Sequence, residues 1–231
     1  MKVFIDEKMV KRNKVIGNVL SLTSIAILGI GMFMSFRDKD GSYLPYTFGS
    51  LIVGFLLFQV ANFYMNKWGK SPRPDEKLSQ ALKGLDSNYS LYHYKSFVSH
   101  LLIGPAGIFA LLPYNQTGEI EFSIKTNRWK QKGGNFFLKT FGGESLGRPD
   151  LDAKYASSDL VKQMSKFNIN LGKYSPQPII VFTNPKVSVS AYGSQFPAVT
   201  LDKLKEFIRK QVKTNNIPSE IITTIKKELG E

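Results

Sequence analysis

The sequence predicts an α/β protein in two parts. An N-terminal two-helix transmembrane hairpin comes first. A cytoplasmic domain with a mixed sheet flanked by helices follows. Three observations carry this reading. Two long uncharged runs stand close together near the start. Strand-like and helix-like segments alternate through the remainder. Positive charge gathers at the two outer ends of the apolar pair and not in the loop between them.

The first run, Val15 to Phe36, is 22 residues without a charge. As a helix it spans roughly 33 Å, enough for a bilayer core. The second, Thr47 to Met65, has 19. Phe36, Tyr43, Tyr64 and Trp68 flank the runs as interfacial aromatics do. Helices are expected at about residues 15–36 and 47–66. Buried core helices are the alternative. A cleaved signal peptide fits poorly, because the first run is too long and a second follows at once.

Lys8, Lys11, Arg12 and Lys14 precede the pair, and Lys67, Lys70, Arg73 and Lys77 follow it. In the loop, Arg37 and Lys39 are offset by Asp38 and Asp40. The positive-inside rule then places both termini in the cytoplasm, with the hairpin in the cytoplasmic (inner) membrane. Polar residues within the spans need partners. Asn18, Gln59 and Asn62 are expected at helix–helix contacts, within the hairpin or with another subunit. Neither span holds an ionisable residue, which disfavours an ion path.

Residues 1–69 are therefore read as basic N-terminus and hairpin, and 70–231 as the soluble domain. Pro74, Asp75 and Glu76 open a helix, since a first turn favours proline and acids. Leu78, Ala81, Leu82 and Leu85 continue it at helical spacing, with Gly84 near its stop. Tyr89 to Phe97 alternates as a strand. "HLLIG" and "IFALLPY" are two more, joined by a tight turn at Gly104 to Gly107. Glu119 to Ile124 alternates with Ile120, Phe122 and Ile124 on one half-buried face. Arg128 to Asp150 reads as an irregular loop or a glycine-punctuated hairpin. A helix runs from Pro149 to about Phe167, with Leu151, Tyr155, Leu160 and Met164 among its apolar positions. Gln177 to Pro185 holds a buried strand, and "KVSVSA" a short one. Thr200 caps a basic amphipathic helix to about Lys213. Pro218 opens the last, to about Leu229.

The chain has no cysteine, which excludes disulfides and thiolate metal sites. Its two histidines, His93 and His100, read as ordinary strand residues rather than metal ligands. "GGESLG" lacks the lysine and hydroxyl of a phosphate loop. No cofactor, metal or small-molecule substrate is indicated. The net charge is +13, and most of the excess follows residue 69. A basic domain tethered near a bilayer suits anionic headgroups, with nucleic acid the other candidate.

"SHLLIGPAGIFALLPYNQTG", Ser99 to Gly118, resembles the opening stretch of the nuclease-related domain (NERD) family, which has the PD-(D/E)xK restriction-endonuclease-like fold. It keeps Gly104, Pro105, Gly107, Phe109, Asn115 and Gly118 of that pattern. "PIIVFTNP" is similar to a later core strand, and Gln163 to a helix glutamine. The resemblance covers about Arg73 to Arg209. It implies an aspartate, a glutamate and a lysine at the catalytic positions. Ser99, Leu112 and Tyr114 stand there instead. Such nucleases need carboxylates to hold a hard cation and a lysine to stabilise charge. The expectation is a non-catalytic pseudo-nuclease domain, fixed at the cytoplasmic face as a binding or accessory subunit of a membrane complex. A membrane-tethered nucleic-acid binder is the alternative, and a nuclease with Glu119 and Glu121 as relocated carboxylates a further one. Arg128, Trp129, Lys130, Lys132, Lys139 and Arg148 are the candidate headgroup or nucleic-acid contacts, because basic groups among aromatics suit either surface.

Overall fold

The computed structural model of the chain describes residues 1–134, 145–169, 171, 174–213 and 217–231. It divides into two units. One comprises Met1–Asp6 and the chain from Pro74 onward, and the other runs from Glu7 to Arg73.

The second unit is a pair of helices, α1 (Glu7–Arg37) and α2 (Leu44–Tyr64), continued by a π-turn at Met65–Gly69. Both are long and apolar enough to cross a membrane. α1 begins eight residues before the uncharged run, because lysine and arginine are good helix formers and Glu7 favours a first turn. The seam between the helices is made of small residues at heptad spacing. Gly17, Ser24 and Gly31 of α1 are buried, as are Gly54 and Ala61 of α2. A Cβ on Gly31 would overlap the Ser50 side chain, and one on Gly54 would stand 2.6 Å from Leu28 Cγ. Small residues let two backbones approach where no water drives them together. Large apolar side chains such as Leu22, Ile25, Phe33, Phe48 and Ile52 point outward and are exposed.

The first unit holds nine strands among the described residues. Their order in the larger sheet is β1–β2–β3–β4–β7–β9, and in the smaller one β6–β5–β8, with β8 at Val187–Ser190. The core strands are β2 (Ser90–His93), β3 (His100–Gly104), β4 (Gly107–Tyr114) and β7 (Gln177–Phe182). β2, β3 and β4 run antiparallel in sequence, and β7 then joins β4 in parallel. Such a crossover needs a helix, and α4 (Pro149–Lys166) supplies it. β9 (Ala198–Thr200) extends the parallel part and runs directly into α5 (Leu201–Gln211).

Each face of this sheet is covered. On one, Leu78 and Leu82 of the α3 (Pro74–Ala81) segment and Leu204 and Ile208 of α5 pack on Leu91, Leu102, Phe109, Leu111 and Val181. On the other, Leu160 and Met164 of α4 and Ile222 and Ile225 of α6 (Ser219–Glu228) pack on Tyr92, Leu101, Ile103 and Ile108. The strands therefore bury alternate residues on opposite sides.

Several elements differ from the sequence reading. β1 (Lys2–Ile5) was not foreseen. It pairs in parallel with β2, Lys2 opposite Ser90 and Ile5 opposite His93, and the Phe4 ring stacks on Tyr92 at 5.0 Å. The first six residues group with the sheet unit, and the helical unit runs from Glu7 to Arg73. The strand expected to Phe97 stops at His93, where Tyr94 turns to φ +61°. On α4 the buried stripe is Ala153, Ala156, Leu160, Gln163 and Met164, while Tyr155 is exposed. Thr200 sits at the N-cap position of α5 but makes no capping hydrogen bond.

Two glycines of the family-like pattern have steric reasons. A Cβ on Gly104 would overlap the Tyr89 ring. Gly118 has φ +87°, and a Cβ there would overlap the Lys132 carbonyl.

Candidate functional site

The C-terminal end of β4 is the edge where a nuclease of the resembling family would carry its catalysts. β3 and β4 pair from Gly104 opposite Gly107 to Leu101 opposite Ala110, and Ser99 and Leu112 lie beyond that paired stretch. Leu112 is half-buried against the α4-side core. Tyr114 is half-buried beside Phe182, with ring centroids 5.8 Å apart. Its hydroxyl donates to Asp152 of α4. Burial, then that bond and the charges of Asp152 and Asp150, push the phenol above the ordinary tyrosine range. Tyr114 is therefore a neutral donor at neutral pH. Gln163 lies on the same helix and is buried, and its side-chain oxygen accepts from the Phe97 backbone N–H at 3.1 Å.

Sequence reasoning missed Asp150 and Asp152 as neighbours of this edge. Their position follows from α4 folding back over β4, which no local pattern records. Asp150 is already engaged, since Arg148 donates to it from two nitrogens at 3.2 and 2.7 Å. That pair holds the Asp150 carboxyl below its usual range. Among the described residues, no three histidine or acidic side chains are grouped as metal ligands would be.

The candidate contact residues divide by strand face. β5 (Gly118–Ser123) and β6 (Arg128–Lys132) pair antiparallel, Glu119 opposite Lys132 and Glu121 opposite Lys130. Lys132 binds Glu121 at 2.9 Å. Lys130 and Lys132 are thus set against the carboxylates of the next strand, while Arg128 stands opposite Ser123 on the same solvated face. Trp129 points the other way. It is 7 % exposed and lies edge-on to Phe122 at 5.5 Å, so its ring belongs to the core and offers no stacking face. Glu119 and Glu121 sit on the smaller sheet, not beside Leu112 and Tyr114. Lys139 lies outside the described residues.

In the helical unit, Asn18 is exposed, while Gln59 and Asn62 are half-buried. The fully buried positions of the pair include the seam glycines, Asn13, Ser24 and Ala61. Ser21, Ser24 and Ser50 donate to carbonyls of their own helices at 2.8 Å, which satisfies their hydroxyls without a cross-helix partner. The heptad of small residues was the signal in the sequence that would have located this seam.

His93 and His100 also prove to be more than separate strand residues. Both are buried, and their Nδ1 atoms stand 2.8 Å apart. That is a hydrogen-bond separation, so one ring donates and the other accepts. His93 Nε2 meets Ser79 Oγ of α3 at 2.9 Å. Strand pairing of His93 with His100 makes this cluster.

No family model, no curated protein and no solved structure matches the chain.

Proposed function

We propose that this chain is a membrane-anchored, non-catalytic binding module. The two apolar helices form the anchor. The α/β unit, nuclease-like in its strand frame, stands at the cytoplasmic face as an accessory subunit of a membrane complex. The observation that carries the non-catalytic reading is the end of β4. Leu112 is packed in apolar surroundings, and Tyr114 is a neutral phenol tied to Asp152. Neither supplies the carboxylate or the cation that metal-assisted phosphodiester hydrolysis requires.

The anchor is supported by an inverted polarity. Only 11 % of the apolar window of each helix is buried, and the small residues face inward while the large apolar ones face out. Core helices of a water-soluble protein do the opposite. An apolar solvent outside the pair accounts for it. The sheet adds a connectivity argument. Met1–Ile5 and Ser90–His93 share hydrogen bonds, so a hairpin that enters a bilayer between them must leave on the side it entered. The basic clusters at its two ends favour the cytoplasmic side.

The test is purification of the native full-length protein in a gentle detergent, with identification of what accompanies it. A stoichiometric membrane-protein partner is expected. A protein that elutes alone, and that binds nucleic acid with a steep salt dependence, would replace this reading with that of a tethered nucleic-acid binder.

A further inference from the structure

A cleft of about 810 Å³ opens where the parallel strands β4, β7 and β9 end. α3 and α5 form its walls, so its lysines come from the face of the sheet opposite α4. Ligands of open α/β sheets bind outside the carboxyl ends of parallel strands, and the volume is that of an ordinary small-molecule site. Lys77, Lys203 and Lys205 line it, against Asp202 as the one acidic lining residue. Lys77 is fixed in place, with its Nζ 2.8 Å from Asn115 Oδ1. Thr183 Oγ1 donates to the same Asn115 oxygen at 3.2 Å and holds the amide. Burial keeps the Lys77 ammonium below the ordinary lysine range, a desolvated cation that gains from an anion beside it.

The start of α5 adds two features. Its first turn has no side-chain cap, so its N–H groups keep their affinity for an acceptor. Thr200 Oγ1 is buried at the cleft and makes no hydrogen bond of normal geometry. It is turned toward Asp202, and its hydroxyl is the main cause that holds that carboxylate below its usual range. Val187 and Leu201, both half-buried, give the cleft an apolar side.

We propose that this cleft binds a small organic phosphate of nucleotide size. The phosphate meets Lys77, Lys203, the Thr200 hydroxyl and the α5 N-terminus. The apolar part lies on Val187 and Leu201, and Asp202 accepts from a ligand hydroxyl. The proposal does not depend on the accessory-subunit reading.

The test uses the full chain in detergent micelles, with ATP and inorganic phosphate as probes in equilibrium dialysis at physiological salt. Saturable ATP binding is expected, displaced by phosphate. Lys77→Gln with Lys203→Gln should weaken it by about tenfold or more, as loss of charge-assisted hydrogen bonds does. Lys125→Gln with Lys154→Gln removes the same charge from exposed positions outside the cleft and should leave affinity unchanged. Thr200→Val, a near-isosteric change, should weaken binding without altering the thermal midpoint of the free protein, and it serves if the lysine pair fails to fold. Absence of saturable binding of either probe at millimolar concentration overturns the proposal. So does equal weakening by both lysine pairs, which would mean attraction by net charge alone, or ATP binding that phosphate does not displace.

Discussion

The Lys2 ammonium stands 2.8 Å from the Glu231 carboxylate, and this joins the first strand of the sheet to the last residue of the chain. Ser90 and Tyr92 of β2 donate to the same carboxylate at 2.7 and 2.8 Å. Lys226 adds its charge at 4.0 Å. The cluster spans β1, β2 and the end of α6.

A pH dependence follows from it. Burial works upward on the Glu231 carboxyl, but the hydrogen bonds from Lys2, Ser90 and Tyr92 and the charge of Lys226 outweigh it and bring the pKa down to about 2. The folded pKa lies below the unfolded one. The stabilisation is therefore complete above about pH 5 and lost as pH falls toward 2. Glu231→Gln should cost about 1–2 kcal/mol at neutral pH, a modest figure because Lys2 is largely exposed. Urea unfolding of the sheet unit from pH 7 to pH 3 checks this. A variant as acid-sensitive as the parent would remove Glu231 from the account.

The second prediction concerns catalysis. The full chain in detergent should show no Mg²⁺- or Mn²⁺-dependent cleavage of DNA or RNA. Tyr114→Phe should then change only stability, by about 1 kcal/mol for the lost hydrogen bond to Asp152. Metal-dependent cleavage that disappears with Asp152→Asn or Glu121→Gln would show that the carboxylates have moved.

The third concerns the helix seam. Gly54→Ala places a Cβ 2.6 Å from Leu28 Cγ, and overpacking of that kind costs about 1–3 kcal/mol. Gly29 has nothing within 4 Å of an added Cβ. Gly29→Ala should be neutral or stabilise α1 by up to about 1 kcal/mol. Thermal inactivation in detergent, followed by disulfide trapping between cysteines placed along the seam, distinguishes the two. Equal effects would mean that the seam is not where the helices hold together.

The fourth concerns topology. A reporter active only outside the cytoplasm should work when fused at Ser42 and fail when fused after Glu231. An exported C-terminal reporter would reverse the orientation drawn from the basic clusters.

Parts of this fold were legible in the sequence for physical reasons. Pro74, Asp75 and Glu76 begin α3 as a proline and two acids should. Gly104 to Gly107 joins β3 to β4 as a tight turn. What stayed hidden depends on distant partners. β1 and β9 have four and three residues, too few to display a period, and each is a strand only because a neighbour accepts it. Trp129 read as a surface aromatic because lysines surround it, yet a two-residue alternation puts it on the other side of β6. The split into two sheets, the approach of Asp152 to Tyr114 and the lysine-lined cleft all arise from crossover connections. Composition and spacing do not record those.

The pairing of β1 with β2 has a consequence for how the protein is made. Synthesis is vectorial, so Lys2–Ile5 leave the ribosome long before Ser90–His93 exist. Both apolar helices must emerge and find their place in the interval. During that time the first strand has no partner, and the edge that β2 later offers is not yet available. With the pair acting as the proposed anchor, the sheet can close only after the hairpin has come back to its starting side. A chain with a wrongly inserted hairpin would keep its first residues and its β2 edge on opposite sides of a bilayer. Such a chain would carry an open strand edge, which is a mark that quality control can read. On the anchor reading proposed above, the N-terminal strand makes correct insertion a condition for completing the sheet.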